Sequence, residues 1–191
     1  MLFPTKLGRM AVTADAASEQ KMTDLDDTSY IDEKGRTRWH RNDEMGLRLK
    51  ELGEFLVIGG YEESHAARYP KLAHAVSRYP ESVVTMHREG RLREIPGIGE
   101  TIAGIVGEIL DTGTCRKIEE WAEHTPKSVM ELTALPGLGA KTIKLLYQEM
   151  GIVDLATFRK ALEAGRFDGV KGLGPKTLAS ARAYLTENSP A

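Results

Sequence analysis

Three short runs, Ile95-Pro96-Gly97-Ile98-Gly99, Leu135-Pro136-Gly137-Leu138-Gly139 and Val170-Lys171-Gly172-Leu173-Gly174, repeat one glycine–apolar–glycine pattern, each ahead of an amphipathic stretch. Two glycines around one apolar residue let the chain turn tightly, bury that residue and leave backbone N–H groups exposed where the next helix starts. Those donors lie at the positive end of the helix dipole, so a phosphate can approach the backbone with no Cβ in the way. A dinucleotide-binding loop of similar composition follows a β-strand, whereas each of these turns follows a helical stretch. The pattern therefore predicts helix, hairpin, helix, used three times.

Lys141 and Lys176 stand two residues beyond Gly139 and Gly174, within reach of the same phosphate. The first copy carries Glu100 and Thr101 instead, so it is expected to bind DNA weakly or to serve as packing. Gly97, Gly99, Gly137, Gly139, Gly172 and Gly174, with Lys141 and Lys176, form the predicted DNA-binding set. Isolated turns of this kind also serve as helix caps, but caps need no repeated lysine offset.

Low aromatic content, 6%, and many Ala, Leu, Glu and Arg residues favour helices, and no segment shows the alternation of a sheet. The expected fold is all-α, with two small helical domains built around helix-hairpin-helix motifs. Cys115 is the only cysteine, which excludes an internal disulfide and a cysteine-based metal site. Neither a membrane span nor a secretory leader pattern is present, so a cytoplasmic, nucleoid-associated monomer is expected. The net charge is −2, but residues 127–191 hold 9 basic and 6 acidic groups whereas residues 39–126 hold 11 and 15. DNA affinity should therefore come mainly from the C-terminal third.

Residues 1–38, with acidic Asp24, Asp26 and Asp27, show no periodicity and are expected to form a flexible tail. Asn42 is the expected N-cap of a first helix whose Met45, Leu49, Leu52 and Leu56 share one face and which Gly59-Gly60 ends. A second helix carries Tyr69, Leu72, Val76 and Tyr79, a third starts near Glu81, and a fourth follows the first hairpin. The helix of Ile118 and Trp121 ends before Pro126, with Trp121 assigned to core packing rather than base stacking. The expected boundaries are 39–113 for the first domain and 114–191 for the second.

Leu52-Gly53-Glu54-Phe55-Leu56, Arg68-Tyr69, the run from Glu89 to Gly99, Leu135 to Gly139, and Gly172 to Thr177 occur in an order that resembles the N-terminal half of bacterial X-family DNA polymerases, the DNA polymerase beta family. The resemblance implies a lyase-type domain followed by a fingers-like helix-hairpin-helix domain, which in that family hold gapped DNA and its 5′ phosphate. It also implies a monovalent cation, K+ or Na+, on the main-chain carbonyls of Thr133, Leu135 and Leu138 in the second hairpin, and of Asp168, Val170 and Leu173 in the third. Tyr69 matches a DNA-contacting position near the lyase pocket. The family's lyase lysines fall at Thr101 and Ile105, neither of which can form an imine. Lys117 is the one remaining candidate nucleophile. Only 17 residues follow Gly174, so the catalytic palm and its aspartates are not expected.

These observations predict a sequence-independent DNA-binding module that grips the sugar-phosphate backbone, in repair or replication, without polymerase activity. The alternatives are a lyase acting on abasic or 5′-deoxyribose-phosphate ends, and a docking scaffold for a repair polymerase, nuclease or ligase.

Overall fold

The computed structural model describes residues 27–188, which divide into two compact units between Pro126 and Lys127. Most of the tail expected at the N-terminus, with Asp24 and Asp26, lies outside the described residues. Helices dominate both units: α1 (His40–Gly59), α2 (Glu63–Ala66), α3 (Tyr69–Ser77), α4 (Val83–Arg88), α5 (Glu100–Thr112) and α6 (Arg116–Ala122) in the first, and α7 (Ala140–Met150), α8 (Leu155–Glu163) and α9 (Pro175–Glu187) in the second. Short 3-10 turns, Leu92–Glu94 and Lys127–Ala134, lead into the first and second hairpins. No helix among the described residues is long and apolar enough to cross a membrane.

The core of the first unit forms where the sequence places its apolar stripe. Met45, Leu49, Leu52 and Leu56 lie at helical spacing on α1 and are fully buried against Leu72 and Val76 of α3 and Ile105, Val106, Ile109 and Leu110 of α5. α1 and α3 approach closely because α1 carries glycine at the contact: a Cβ on Gly53 would sit 2.6 Å from the Cβ of Tyr69. Gly60, at φ 95°, ends α1 with its amide on the Leu56 and Val57 carbonyls.

Residues 27–38 do not continue the tail. Ser29–Ile31 (β1) and Thr37–Trp39 (β2) pair antiparallel, with Tyr30 opposite Arg38. The strands are too short for alternation to show in the sequence. Their turn is held by one carboxylate, since Asp32 accepts hydrogen bonds from the Lys34 and Arg36 amides and from Nε of both Arg36 and Arg38. Those donors hold the Asp32 carboxyl well below the usual carboxylate range. The Trp39 indole donates to the Pro80 carbonyl at 2.9 Å, tying β2 to the loop after α3.

Asn42 does not cap α1. The helix begins two residues earlier, and Asn42 is fully buried inside it. Its Oδ1 accepts the Val83 amide at 2.7 Å, and its Nδ2 donates to the Glu81 and Tyr79 carbonyls at 2.8 and 3.2 Å. One amide thus satisfies the loop between α3 and α4. The third helix starts at Val83 rather than near Glu81, because Ser82 Oγ accepts the Val84 and Thr85 amides and caps it.

The domain division also falls later than the hairpin pattern predicts. α6 belongs to the first unit, where Trp121 meets Tyr61 edge-on with ring centroids 5.3 Å apart and lies against Gly59. Cys115, just before α6, is buried, and burial pushes its thiol pKa up. The two compact units divide between Pro126 and Lys127. In the second unit Phe158 and Phe167 pack with ring centroids 4.8 Å apart.

Because Asn42 is buried and satisfies one amide and two carbonyls of the loop between α3 and α4, Asn42→Ala should cost about 2–3 kcal/mol. Chemical denaturation should show a lower midpoint with an unchanged slope. An unchanged midpoint would mean that the loop groups find other partners.

Candidate nucleic-acid interface

The three hairpins share one hydrogen-bond pattern. Each opens with two successive turns, in which Ile95, Leu135 and Val170 donate to the carbonyls of Leu92, Leu132 and Phe167, and Ile98, Leu138 and Leu173 then donate to those of Ile95, Leu135 and Val170. The first glycine of each pair is left-handed, at φ 88° for Gly97, 83° for Gly137 and 89° for Gly172. A residue with a Cβ is strained there, so the fold itself demands these three glycines. The apolar residue between the glycines, Ile98, Leu138 or Leu173, is buried as a plug.

The second glycines are different. Gly99, Gly139 and Gly174 take extended backbone angles that any residue adopts, and a Cβ on any of them would meet open space. Each is the N-cap of its helix, α5, α7 or α9, and none of those helices has a side-chain cap. Elsewhere the chain caps with side chains, as at Ser82 on α4 and Asp154 on α8, where Asp154 and Thr157 form a capping box. Serine or aspartate at the three hairpins would stabilise the helix ends at least as well as glycine. The bare backbone there is thus unexplained by folding and suits a partner that must come close.

The second and third hairpins also support each other. A Cβ on Gly172 would lie 2.6 Å from Thr142 Oγ1, and one on Gly137 would lie 3.4 Å from Thr177 Cγ2. Thr142 and Thr177 are each the third residue of their helix, so α7 abuts the third hairpin as α9 abuts the second. Lys141 and Lys176 precede these threonines and are both exposed, and the Lys176 side chain forms no ion pair with another described residue. The first hairpin has Ile102 at the threonine position and packs instead on α3, where Leu72 Cδ2 would lie 3.3 Å from a Cβ on Gly97.

Other predicted site residues part company here. Tyr69 is 4% exposed, wedged between α3 and α1, and burial pushes its hydroxyl pKa up to about 12. It is a packing residue and not a surface contact, because the glycine-lined face of α1 draws its ring inward. Ile105 is buried in the core and Thr101 is exposed, so no amine stands at either position. Lys117 is partly buried with its Nζ 4.2 Å from the Tyr61 ring centroid, an orientation that favours a cation on an aromatic face. Among the candidate cation-binding carbonyls, those of Leu135 and Val170 each already accept one amide, and a carbonyl has a second lone pair to offer. Sequence reading missed Thr142 and Thr177, although the repeated Lys-Thr pair was available as a signal.

The SAM-like helix-hairpin-helix tandem family matches this chain twice, over residues 89–151 and 129–183. The chain is also 27% identical over 138 residues to the DNA polymerase/3'-5' exonuclease PolX of Bacillus subtilis (strain 168). That similarity takes in 72% of this chain and 24% of the relative, so the chain spans about a quarter of the length of the protein it matches.

The two glycine classes should respond oppositely to substitution. Gly172→Ala, which combines a left-handed backbone with the Thr142 contact, should lose about 1–3 kcal/mol of stability. Gly174→Ser should stay within about 0.5 kcal/mol of the parent. Thermal unfolding of the two variants side by side checks this, and equal losses would remove the distinction.

Proposed function

For a chain that carries tandem helix-hairpin-helix domains and is similar to X-family DNA polymerases, we propose a sequence-independent grip on the DNA sugar-phosphate backbone. The observation that carries this reading is the open, Cβ-free N-cap at Gly139 and Gly174, where folding has no use for glycine. Backbone amides at the starts of α7 and α9 donate to phosphate oxygens, while Lys141 and Lys176 add charge from the first turn of each helix. No base edge is read, because every contact is to phosphate.

If bound, a K+ or Na+ ion would rest on the Thr133, Leu135 and Leu138 carbonyls and on those of Asp168, Val170 and Leu173, and would add positive charge beside the phosphate. The grip itself comes from the amides and lysines. Gapped DNA with a 5′ phosphate is the preferred substrate in this reading, in a repair or replication setting in the cytoplasm or nucleoid. Among the described residues there is no group of three or more His, Cys, Asp or Glu side chains that could hold a metal ion.

Fluorescence anisotropy with a one-nucleotide-gapped duplex tests the proposal. With about two to four phosphates engaged, log affinity should fall against log salt with a slope of roughly −2 to −4. Lys141→Glu/Lys176→Glu should weaken binding roughly tenfold or more at low salt and flatten the slope by about 2. Gly139→Ser/Gly174→Ser should weaken binding while leaving thermal stability near the parent's. Salt-independent affinity, or normal binding by both double variants, would sink the reading.

A further inference from the structure

The first turn of α1 carries a buried charge that is only half used. Arg41, the second residue of the helix, is 3% exposed. Its Nη1 donates to the Glu44 carboxylate one turn on, whereas its buried Nη2 has no hydrogen-bond partner among the described residues. A guanidinium nitrogen that loses its water and gains no acceptor is costly to bury. The helix start is also short of an acceptor, because Trp39 stands at the cap position and α1 has no side-chain cap. The orphaned nitrogen and the positive end of the helix together call for an anion.

The chain supplies one nearby. Among the described residues, the other buried side-chain atom without a partner is Oδ1 of Asp27, two residues before β1. The antiparallel register brings the two orphans toward each other. Ser29 pairs with Trp39, and the His40 amide donates to the Thr28 carbonyl at 3.1 Å, so the ladder runs one step past the strands. The next step of the same register sets Asp27 opposite Arg41. Helical side chains lean toward the N-terminus of their own helix, which aims the Arg41 guanidinium back at the arriving chain.

We propose that Asp27 is a strap, whose carboxylate closes on the Arg41 guanidinium at the start of α1 and fastens the chain ahead of β1 to the first unit. Closing the pair satisfies both orphaned atoms at once and puts an acceptor where Trp39 can offer none. Three consecutive residues then hold three segments: His40 holds Thr28 through its amide, Arg41 holds Asp27, and Asn42 holds the loop between α3 and α4. β2 is already tied down, by the Trp39 indole on the Pro80 carbonyl and by Arg38 on the Ser77 carbonyl. The strap does the same for β1, whose three residues are all exposed. This inference stands apart from the DNA-binding reading.

A double-mutant cycle on the full chain tests the strap, with Asp27→Asn, Arg41→Met and the two combined. Trp39 and Trp121 are the two tryptophans of the chain and both lie in the first unit, so thermal unfolding followed by tryptophan fluorescence reports on that unit. Asp27→Asn should lower the midpoint by about 4–8 °C in the parent and by about 1 °C or less beside Arg41→Met. Amide exchange in β1 should speed up roughly tenfold in Asp27→Asn, while α3 and α5 keep the parent's rates. If Arg41→Met does not fold, Arg41→Lys takes its place, and Asp27→Asn should then cost less than it costs the parent. Additive losses in the cycle, or a parent-like midpoint and exchange in Asp27→Asn, overturn the strap. A midpoint that inorganic phosphate raises equally in the parent and in Asp27→Asn, but not in the Arg41 variant, assigns the guanidinium to an external anion and overturns it as well.

Discussion

The left-handed glycine that reverses the chain and drives the next apolar residue inward is the constraint on which this molecule depends. At Gly97, Gly137 and Gly172 the φ angle varies by only a few degrees around the same value. That angle commits Ile98, Leu138 and Leu173 to the interior and fixes where α5, α7 and α9 begin. In the second unit the same turns meet each other's helices through Thr142 and Thr177. The structural glycine, the buried plug and the helix start are thus one mechanical element, used three times with different neighbours.

Charge is handled differently in the two units. The first is acidic by composition, yet several of its exposed carboxylates are paired within their own unit. Arg91 alone engages Glu81, Glu89 and Glu94, which fastens the start of α4's loop to the turn before the first hairpin. The guanidinium holds the Glu94 carboxyl below its ordinary range. Exposed pairs of this kind contribute little individually, and their effect is to keep acidic side chains on local partners. From residue 127 onward basic groups exceed acidic ones, 9 to 6, so the second unit is basic by composition.

The helices and hairpins were legible in the sequence because both announce themselves locally. The α1 stripe needs only the spacing of Met45, Leu49, Leu52 and Leu56, and each hairpin needs five consecutive residues. What depended on partners far along the chain was not legible. Asn42 reads as a cap until the Val83 amide and the Glu81 carbonyl are placed beside it, whereas Tyr69 is buried as its place on the apolar face of the second helix implies, and only the DNA contact suggested by the family resemblance gives way. The β1–β2 pair was hidden because three-residue strands carry no period, and its turn rests on a single aspartate that resembles any other surface charge. The hairpin pattern placed the domain boundary too early, since it could not show that Trp121 packs on Tyr61.

The reciprocal threonine contacts have a metrical consequence. Gly137 and Gly172 each touch the opposite helix, so the amide cluster at the start of α7 cannot slide or tilt independently of the one at the start of α9. In the proposed backbone grip, two amide clusters joined in this way would act as the jaws of a set caliper. A strand meeting both would have to offer its phosphates at the matching interval, whatever its bases, so the unit would gauge the pitch of a polymer rather than its message.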